Sequence, residues 1–235
     1  MAAARVIFIP GFMQRGEAWE PVAALLRERY PSVLLEHREH TCEGRLEEIA
    51  FAGEGGVLVG YSLGGRLALR AVLRAPDRFR GLVTVGSTAG LDEPAARSAR
   101  REDDEKFAAW IEVMSIQDVV ALWERQPMFA DQSEALIERQ RPGRLSHDPR
   151  ELALLLRTAG QGALDPVWHE LEQLDLPLLA IAGARDPGYK RAAERIAATA
   201  PKGRAAIVEE AGHAAHLQRP DEVARVVEEF LDGLE

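Results

Sequence analysis

The stretch Val57-Leu-Val-Gly-Tyr-Ser62-Leu-Gly-Gly-Arg66-Leu-Ala-Leu69 decides how this chain is read. Residues 57–60 form a short, continuously apolar run ending in glycine, which suits a strand buried on both faces. Residues 64–75 carry the apolar spacing of a helix. Between them, Gly60-Tyr61-Ser62-Leu63-Gly64 matches the pattern G-x-S-x-G. In that pattern a serine sits on a strained strand-to-helix turn, and small residues on either side let the backbone cross closely. The helix N-terminus behind Ser62 favours negative charge at its hydroxyl. A plain glycine-rich turn has the same composition, but the strand before and the helix after favour a reactive serine.

Similar apolar runs recur outward from this point, at residues 5–9, 33–36, 82–86, 178–182 and 205–209. Stretches of helical period separate most of them, as at 17–29 and 192–200. Such alternation implies an α/β fold with a doubly wound, mostly parallel sheet. It breaks after the fourth run. Residues 91–175 show no strand pattern but several helical segments, at 95–114, 118–125, 133–140 and 150–159. The expected organisation is therefore a core of residues 1–90 and 176–235 with a helical cap, 91–175, inserted after the fourth strand.

A serine hydroxyl becomes nucleophilic or basic only when a histidine takes its proton. Six histidines are available: His37, His40, His147, His169, His213 and His216. His213 stands between the last strand and the C-terminal helix, with His216 as its rival one turn on. An orienting acid is expected between serine and histidine in chain order. Asp186, in Gly183-Ala-Arg-Asp186-Pro after the fifth run, fits, although an aspartate there also suits a helix cap. Two backbone amides should face developing negative charge. Leu63 supplies one, and Phe12, after Pro10-Gly11, the other.

Composition narrows the function classes. The chain has 235 residues and a net charge of −9, against a nucleic-acid binder, which carries a basic surface. Cys42 is the lone cysteine, which excludes an internal disulfide and a Cys-rich metal site. No apolar run approaches the ~18 residues of a membrane span, and the start lacks the apolar core of a leader. The reading is a soluble, cytoplasmic protein, monomer or homodimer, with no cofactor and no metal. Lys106, Lys190 and Lys202 are the only lysines, so nearly every cation is an arginine, the better bidentate carboxylate ligand.

The combination resembles the α/β-hydrolase superfamily over essentially the whole chain. More narrowly, Gly60-Tyr-Ser-Leu-Gly-Gly-Arg-Leu-Ala-Leu is similar to the elbow of the 2-succinyl-6-hydroxy-2,4-cyclohexadiene-1-carboxylate synthases of menaquinone biosynthesis. Arg66 matches the arginine those enzymes carry four residues after the serine. Gly86-Ser-Thr-Ala-Gly-Leu91, followed by Arg100 and Asp104, resembles their first cap helix. Leu122-Trp123-Glu-Arg-Gln-Pro127-Met-Phe129 resembles the segment with their active-site tryptophan. The stretches from Arg144 and from Leu156 to Gly162 resemble the source of a third arginine, with Arg139 and Arg141 as near neighbours of Arg144. Gly212-His213-Ala-Ala-His216 is similar to the terminal histidine motif. One departure is Pro10-Gly11, where those synthases usually have His-Gly.

The resemblance implies a small substrate with three carboxylates, held by Arg66, Arg100 and Arg144 through bidentate pairs. Tyr61 and Trp123 are either core residues or substrate-binding walls of that site, and Tyr61, beside the nucleophile, is the better candidate for a wall. The implied reaction is a cofactor-free elimination of pyruvate, with Ser62 as base. The same three residues also suit an esterase or thioesterase working through an acyl-enzyme, and the fold alone also accommodates a ligand-binding protein without catalysis.

Overall fold

A computed structural model describes residues 4–234. Six strands form one all-parallel sheet: β1 (Val6–Ile9), β2 (Ser32–Leu34), β3 (Val57–Tyr61), β4 (Gly81–Val85), β5 (Leu178–Gly183) and β6 (Gly203–Val208), in the order β2-β1-β3-β4-β5-β6. Successive side chains of a strand point to opposite faces, and here both faces are buried. Val6, Phe8, Val57, Val59, Val83 and Val85 belong to one apolar layer, while Ile7, Ile9, Leu58 and Leu82 belong to the other. The layers explain why these strands read as unbroken apolar runs.

Helices α1 (Glu20–Leu26), α2 (Cys42–Ala52), α3 (Leu63–Arg74), α9 (Pro187–Thr199) and α11 (Pro220–Asp232) accompany the sheet, with the short α10 (Ala215–Gln218) before the last. Between β4 and β5 run α4 (Pro94–Val113), α5 (Ile116–Trp123), α6 (Glu134–Leu145), α7 (Pro149–Ala159) and the short α8 (Trp168–Leu171), with no strand among the described residues. Ala108 and Ile111 of α4, Val119 and Val120 of α5, and Leu152 and Ala153 of α7 form their own apolar cluster, which Met13 joins from the loop after β1. That residue ties the inserted helices to the carboxyl ends of the strands.

Three local expectations need correction. The region expected to be helical at 17–29 splits into a 3-10 turn at Gly16–Trp19 followed by α1, with Pro21 at the start of the α-helix. The second strand lies at 32–34 rather than 33–36, a short edge strand paired only to β1. Helix α6 does not stop at 140 but runs through Pro142 to Leu145. Its last turn holds Arg144, which is 3% exposed and ion-paired to Glu124 of the segment after α5.

Sheet order fixes where chemistry belongs. The chain runs outward from β1 to the edge strand β2, then crosses back past β1 to β3 and onward, so its winding reverses between β1 and β3. In open α/β sheets, ligands bind at such a switch point beyond the carboxyl ends of the strands. Phe12 and Ser62 both stand there.

Candidate active site

Ser62 caps α3 with φ 49° and ψ −109°, a left-handed backbone that a non-glycine residue adopts at a cost of about 1–3 kcal/mol. Three contacts hold it. Its amide donates to the Val85 carbonyl at 2.9 Å, and its carbonyl accepts from the Ser87 hydroxyl at 3.0 Å and the Arg66 amide at 3.1 Å. A Cβ on Gly64 would meet the Ile9 and Pro10 carbonyl oxygens at 2.5 Å, so only glycine lets the helix start this close to β1.

His213 follows β6 on a loop that turns at Glu210, where φ is 57°. The imidazole reaches Ser62 Oγ through Nε2 at 3.2 Å and Asp186 Oδ2 through Nδ1 at 2.9 Å. An ionised carboxylate only accepts, so Nδ1 carries the hydrogen and Nε2 is free to accept from the serine. Asp186 serves both of its expected uses. As N-cap of α9 its Oδ1 accepts from the Tyr189 amide at 3.2 Å, while Oδ2 faces the histidine. Partial burial pushes its pKa up, but the His213 and Tyr189 hydrogen bonds outweigh that and leave it below the usual value. The aspartate therefore stays ionised at neutral pH.

The Leu63 amide, first in α3, has no acceptor within its own helix and sits one residue beyond Ser62. Phe12 and Leu63 both line a cavity of about 330 Å³ that opens at Ser62, with Arg66, Arg100 and Trp123 among its other walls. Arg66 is 7% exposed, and its Nε has no hydrogen-bond partner. Among the described residues no carboxylate pairs with it. Burial, ahead of all other causes, lowers its pKa. Arg100 is clamped: Nε donates to Asp104 Oδ1 at 2.7 Å and one terminal nitrogen to Gln161 Oε1 at 2.8 Å. Asp104 Oδ2 also accepts from the Gly162 amide at 3.1 Å, tying α4 to the segment after α7. The clamp partner Gln161 gives no local signal in the sequence, because it meets Arg100 from 61 residues along the chain. Trp123 packs against Phe12 and Phe129, with ring centroids 5.3 and 5.5 Å apart.

Two expected wall residues lie elsewhere. Tyr61 does not line the cavity; its ring packs under the site, 5.3 Å from His213 and 4.2 Å from His216. It points away because side chains alternate along β3, and Ser62 begins the turn. Arg144 is not on the cavity wall either. It bonds Glu124 Oε1 at 3.0 Å and lies 5.8 Å over the Phe129 ring. Its neighbours are no nearer the cavity: Arg141 shares the same Glu124 from the exposed side, and Arg139 borders a surface depression with Asp131 and Glu210. The three arginines therefore do not all converge on Ser62. Arg66 and Arg100 line the same cavity as Ser62.

His216 cannot replace His213 in this geometry. It is fully buried, its ring 4.4 Å from Trp19, and its Nε2 accepts from the Gln14 side-chain amide at 3.3 Å. Burial, with His213 nearby, lowers its pKa to about 3. His147 is likewise lowered to about 3, by burial first and then by Arg15, Arg45 and His40. Unfolding returns both to about 6.5, so between those values the unfolded chain binds more protons. Their stabilising contribution is full above about pH 6.5 and is lost as pH falls toward 3. Stability should drop by up to about 3 kcal/mol per pH unit near pH 5, measured by urea unfolding at several pH values. A midpoint unchanged between neutral pH and pH ~5 would contradict the burial of these two rings.

With this geometry in place, the family model described as "Alpha/beta hydrolase family" matches residues 6–226. The chain belongs to the α/β-hydrolase family. Within it, this α/β-hydrolase is 34% identical over 180 residues to a Bacillus subtilis (strain 168) protein provisionally named 2-succinyl-6-hydroxy-2,4-cyclohexadiene-1-carboxylate synthase, an alignment covering 75% of this chain and 66% of that one. It is 27% identical to the synthase of that name from Klebsiella pneumoniae (strain 342), over 96% of this chain and 93% of the relative. Among solved structures, MenH from S. aureus superposes with a TM-score of 0.90 at 23% identity, covering 98% of this chain and 94% of that one, which shows the shared fold. Among the described residues, no helix is long and apolar enough to cross a membrane.

Proposed function

We propose that this α/β-hydrolase is a 2-succinyl-6-hydroxy-2,4-cyclohexadiene-1-carboxylate synthase, a lyase that eliminates pyruvate from a ring substrate bearing carboxylates. The activity matches the name carried by its relatives at 27–34% identity. The observation that carries the reading is the unpaired, buried Arg66 guanidinium facing the same cavity as Ser62. A buried cation without a partner is costly, and a substrate carboxylate supplies the missing one. A neutral ester would leave it unpaired. Arg100, with Nε and one terminal nitrogen held by Asp104 and Gln161, keeps the other terminal nitrogen for a second carboxylate.

Asp186 fixes His213, and His213 Nε2 takes the Ser62 proton. The serine oxygen then removes the proton alpha to a carbonyl of the substrate ring. That C–H pair becomes enolate charge, held by the Phe12 and Leu63 amides, and it collapses to a ring double bond as the C–O bond to the enolpyruvyl group breaks. The departing enolate takes a proton and leaves as pyruvate. A positioned base contributes about 10²–10⁴-fold, so the amides and arginines supply the rest. Segment 91–175 acts as the cap that brings Arg100 and Trp123 to the site.

Purified protein given the enolpyruvyl substrate of these synthases should release one pyruvate per substrate consumed, read by coupling to lactate dehydrogenase. Turnover of esters or thioesters with no pyruvate would instead establish the acyl-enzyme chemistry that the same serine, histidine and aspartate permit.

A further inference from the structure

His213 stands where three aromatic rings converge. The Tyr189 ring centroid lies 4.4 Å from that of the imidazole at 52°, the Tyr61 centroid 5.3 Å away at 55°, and the Phe129 centroid 6.4 Å away. The histidine itself is 2% exposed. Tyr189 also touches the acid behind the base, because its backbone amide donates to Asp186 Oδ1 at 3.2 Å while Oδ2 faces His213 Nδ1 at 2.9 Å. One residue thus contacts both members of the relay. It lies outside the residues that line the cavity.

We propose that Tyr189 is a positioning residue for the proton transfer, its ring stabilising the imidazolium formed when His213 accepts the Ser62 proton. This rests on the reading of Ser62, His213 and Asp186 given above. In the transfer, the Ser62 O–H bond breaks, its electron pair stays on oxygen, and the Nε2 lone pair binds the proton. The imidazole becomes a cation where water has almost no access. Asp186 provides one counter-charge through Nδ1. A cation within about 6 Å of a ring centroid is attracted to the π face, and Tyr189 and Tyr61 both lie inside that range. Tyr61 is embedded in β3 beneath the elbow, so replacing it disturbs the core. Tyr189 is half-buried in the first turn of α9, so its ring can be varied alone.

The titratable and charged groups around the imidazole come from four directions. Ser62 and Tyr61 belong to the elbow, Asp186 and Tyr189 to the start of α9, and His216 to α10. Asp131 lies beside Gly212, and Arg144 stands over the Phe129 ring. His216 is neutral above about pH 3, so it adds no charge in the working range.

The test compares Tyr189→Phe, Tyr189→Leu and Tyr189→Met for pyruvate release across pH, with Ser62→Ala as control. Phenylalanine keeps the ring and should stay within about twofold of the parent in kcat. Leucine and methionine keep bulk without the ring, and kcat should fall about tenfold while KM stays within about twofold. Losing the ring makes the imidazolium less stable, so the base stays neutral to lower pH. The acidic limb of kcat/KM should therefore move down by about one unit in the ring-less variants only, the shift that matches a tenfold loss. Leucine and phenylalanine variants with equal kcat, a change in KM alone, or an unmoved limb would overturn the proposal. If the leucine variant does not fold, the methionine variant decides. An inactive Ser62→Ala beside a fully active Tyr189→Leu would sink the ring's role alone, whereas an active Ser62→Ala would sink the relay and the proposal together.

Discussion

Replacing Ser62 with alanine should cut pyruvate release by about 10³-fold or more while the protein stays folded. In the proposed mechanism the hydroxyl, 3.2 Å from His213 Nε2, moves the proton, and among the described residues no other hydroxyl bonds that nitrogen. Alanine shares serine's dislike of φ 49°, so the turn gains no new strain. The contacts that hold the turn, from Val85 and Ser87, use backbone atoms of residue 62 and survive the change. Removing His213 should be similarly severe, and the double variant little worse, because groups that act as a unit are not additive. Steady-state rates with a urea midpoint for each variant check this. A folded Ser62→Ala protein retaining a tenth of the parent rate would defeat the assignment.

Arg66→Ala should lower kcat/KM for pyruvate release by about 10–150-fold, the worth of roughly 1.5–3 kcal/mol from a charged hydrogen bond. Position 66 lies one helical turn beyond Ser62 on α3, so its side chain shares the serine's face. The structure adds a second expectation. The free protein buries this guanidinium without a partner, and an unpaired buried charge destabilises the fold. Stability should therefore hold or rise in Arg66→Ala even as activity falls. A large loss of stability with kcat/KM unchanged would make Arg66 a structural residue.

The fold was legible because β1, β3, β4 and β5 are buried on both faces, which leaves apolar runs such as 57–60 and 178–182 that need no partner to be recognised. Helix α2 gave less away. Its N-cap Thr41 accepts from the Gly44 amide at 3.2 Å through its hydroxyl, but charged and apolar residues are mixed along Cys42–Ala52 and Phe51 is exposed, so the sequence shows no clear apolar stripe there. Ser62, Asp186 and His213 could be singled out because each sits just past a strand, where local pattern and chain order suffice. Arg144 could not be placed in that way. Its position depends on Glu124 twenty residues earlier and on α6 continuing through Pro142, and neither leaves a local trace. Tyr61 was misplaced by one step of strand alternation, which a motif does not display. Tyr189 carries no local signal because its partner is a ring 24 residues away.

The most direct test of Ser62 as a base for a carboxylate-bearing substrate measures two reactions on two proteins in one buffer. Pyruvate release from the enolpyruvyl substrate and cleavage of nitrophenyl acetate are followed for the parent and for Arg66→Ala. The account requires efficient pyruvate release and weak ester cleavage in the parent, with Arg66→Ala losing about 10–150-fold in the first and almost nothing in the second. Efficient ester cleavage without pyruvate, or equal losses in both reactions, would contradict it.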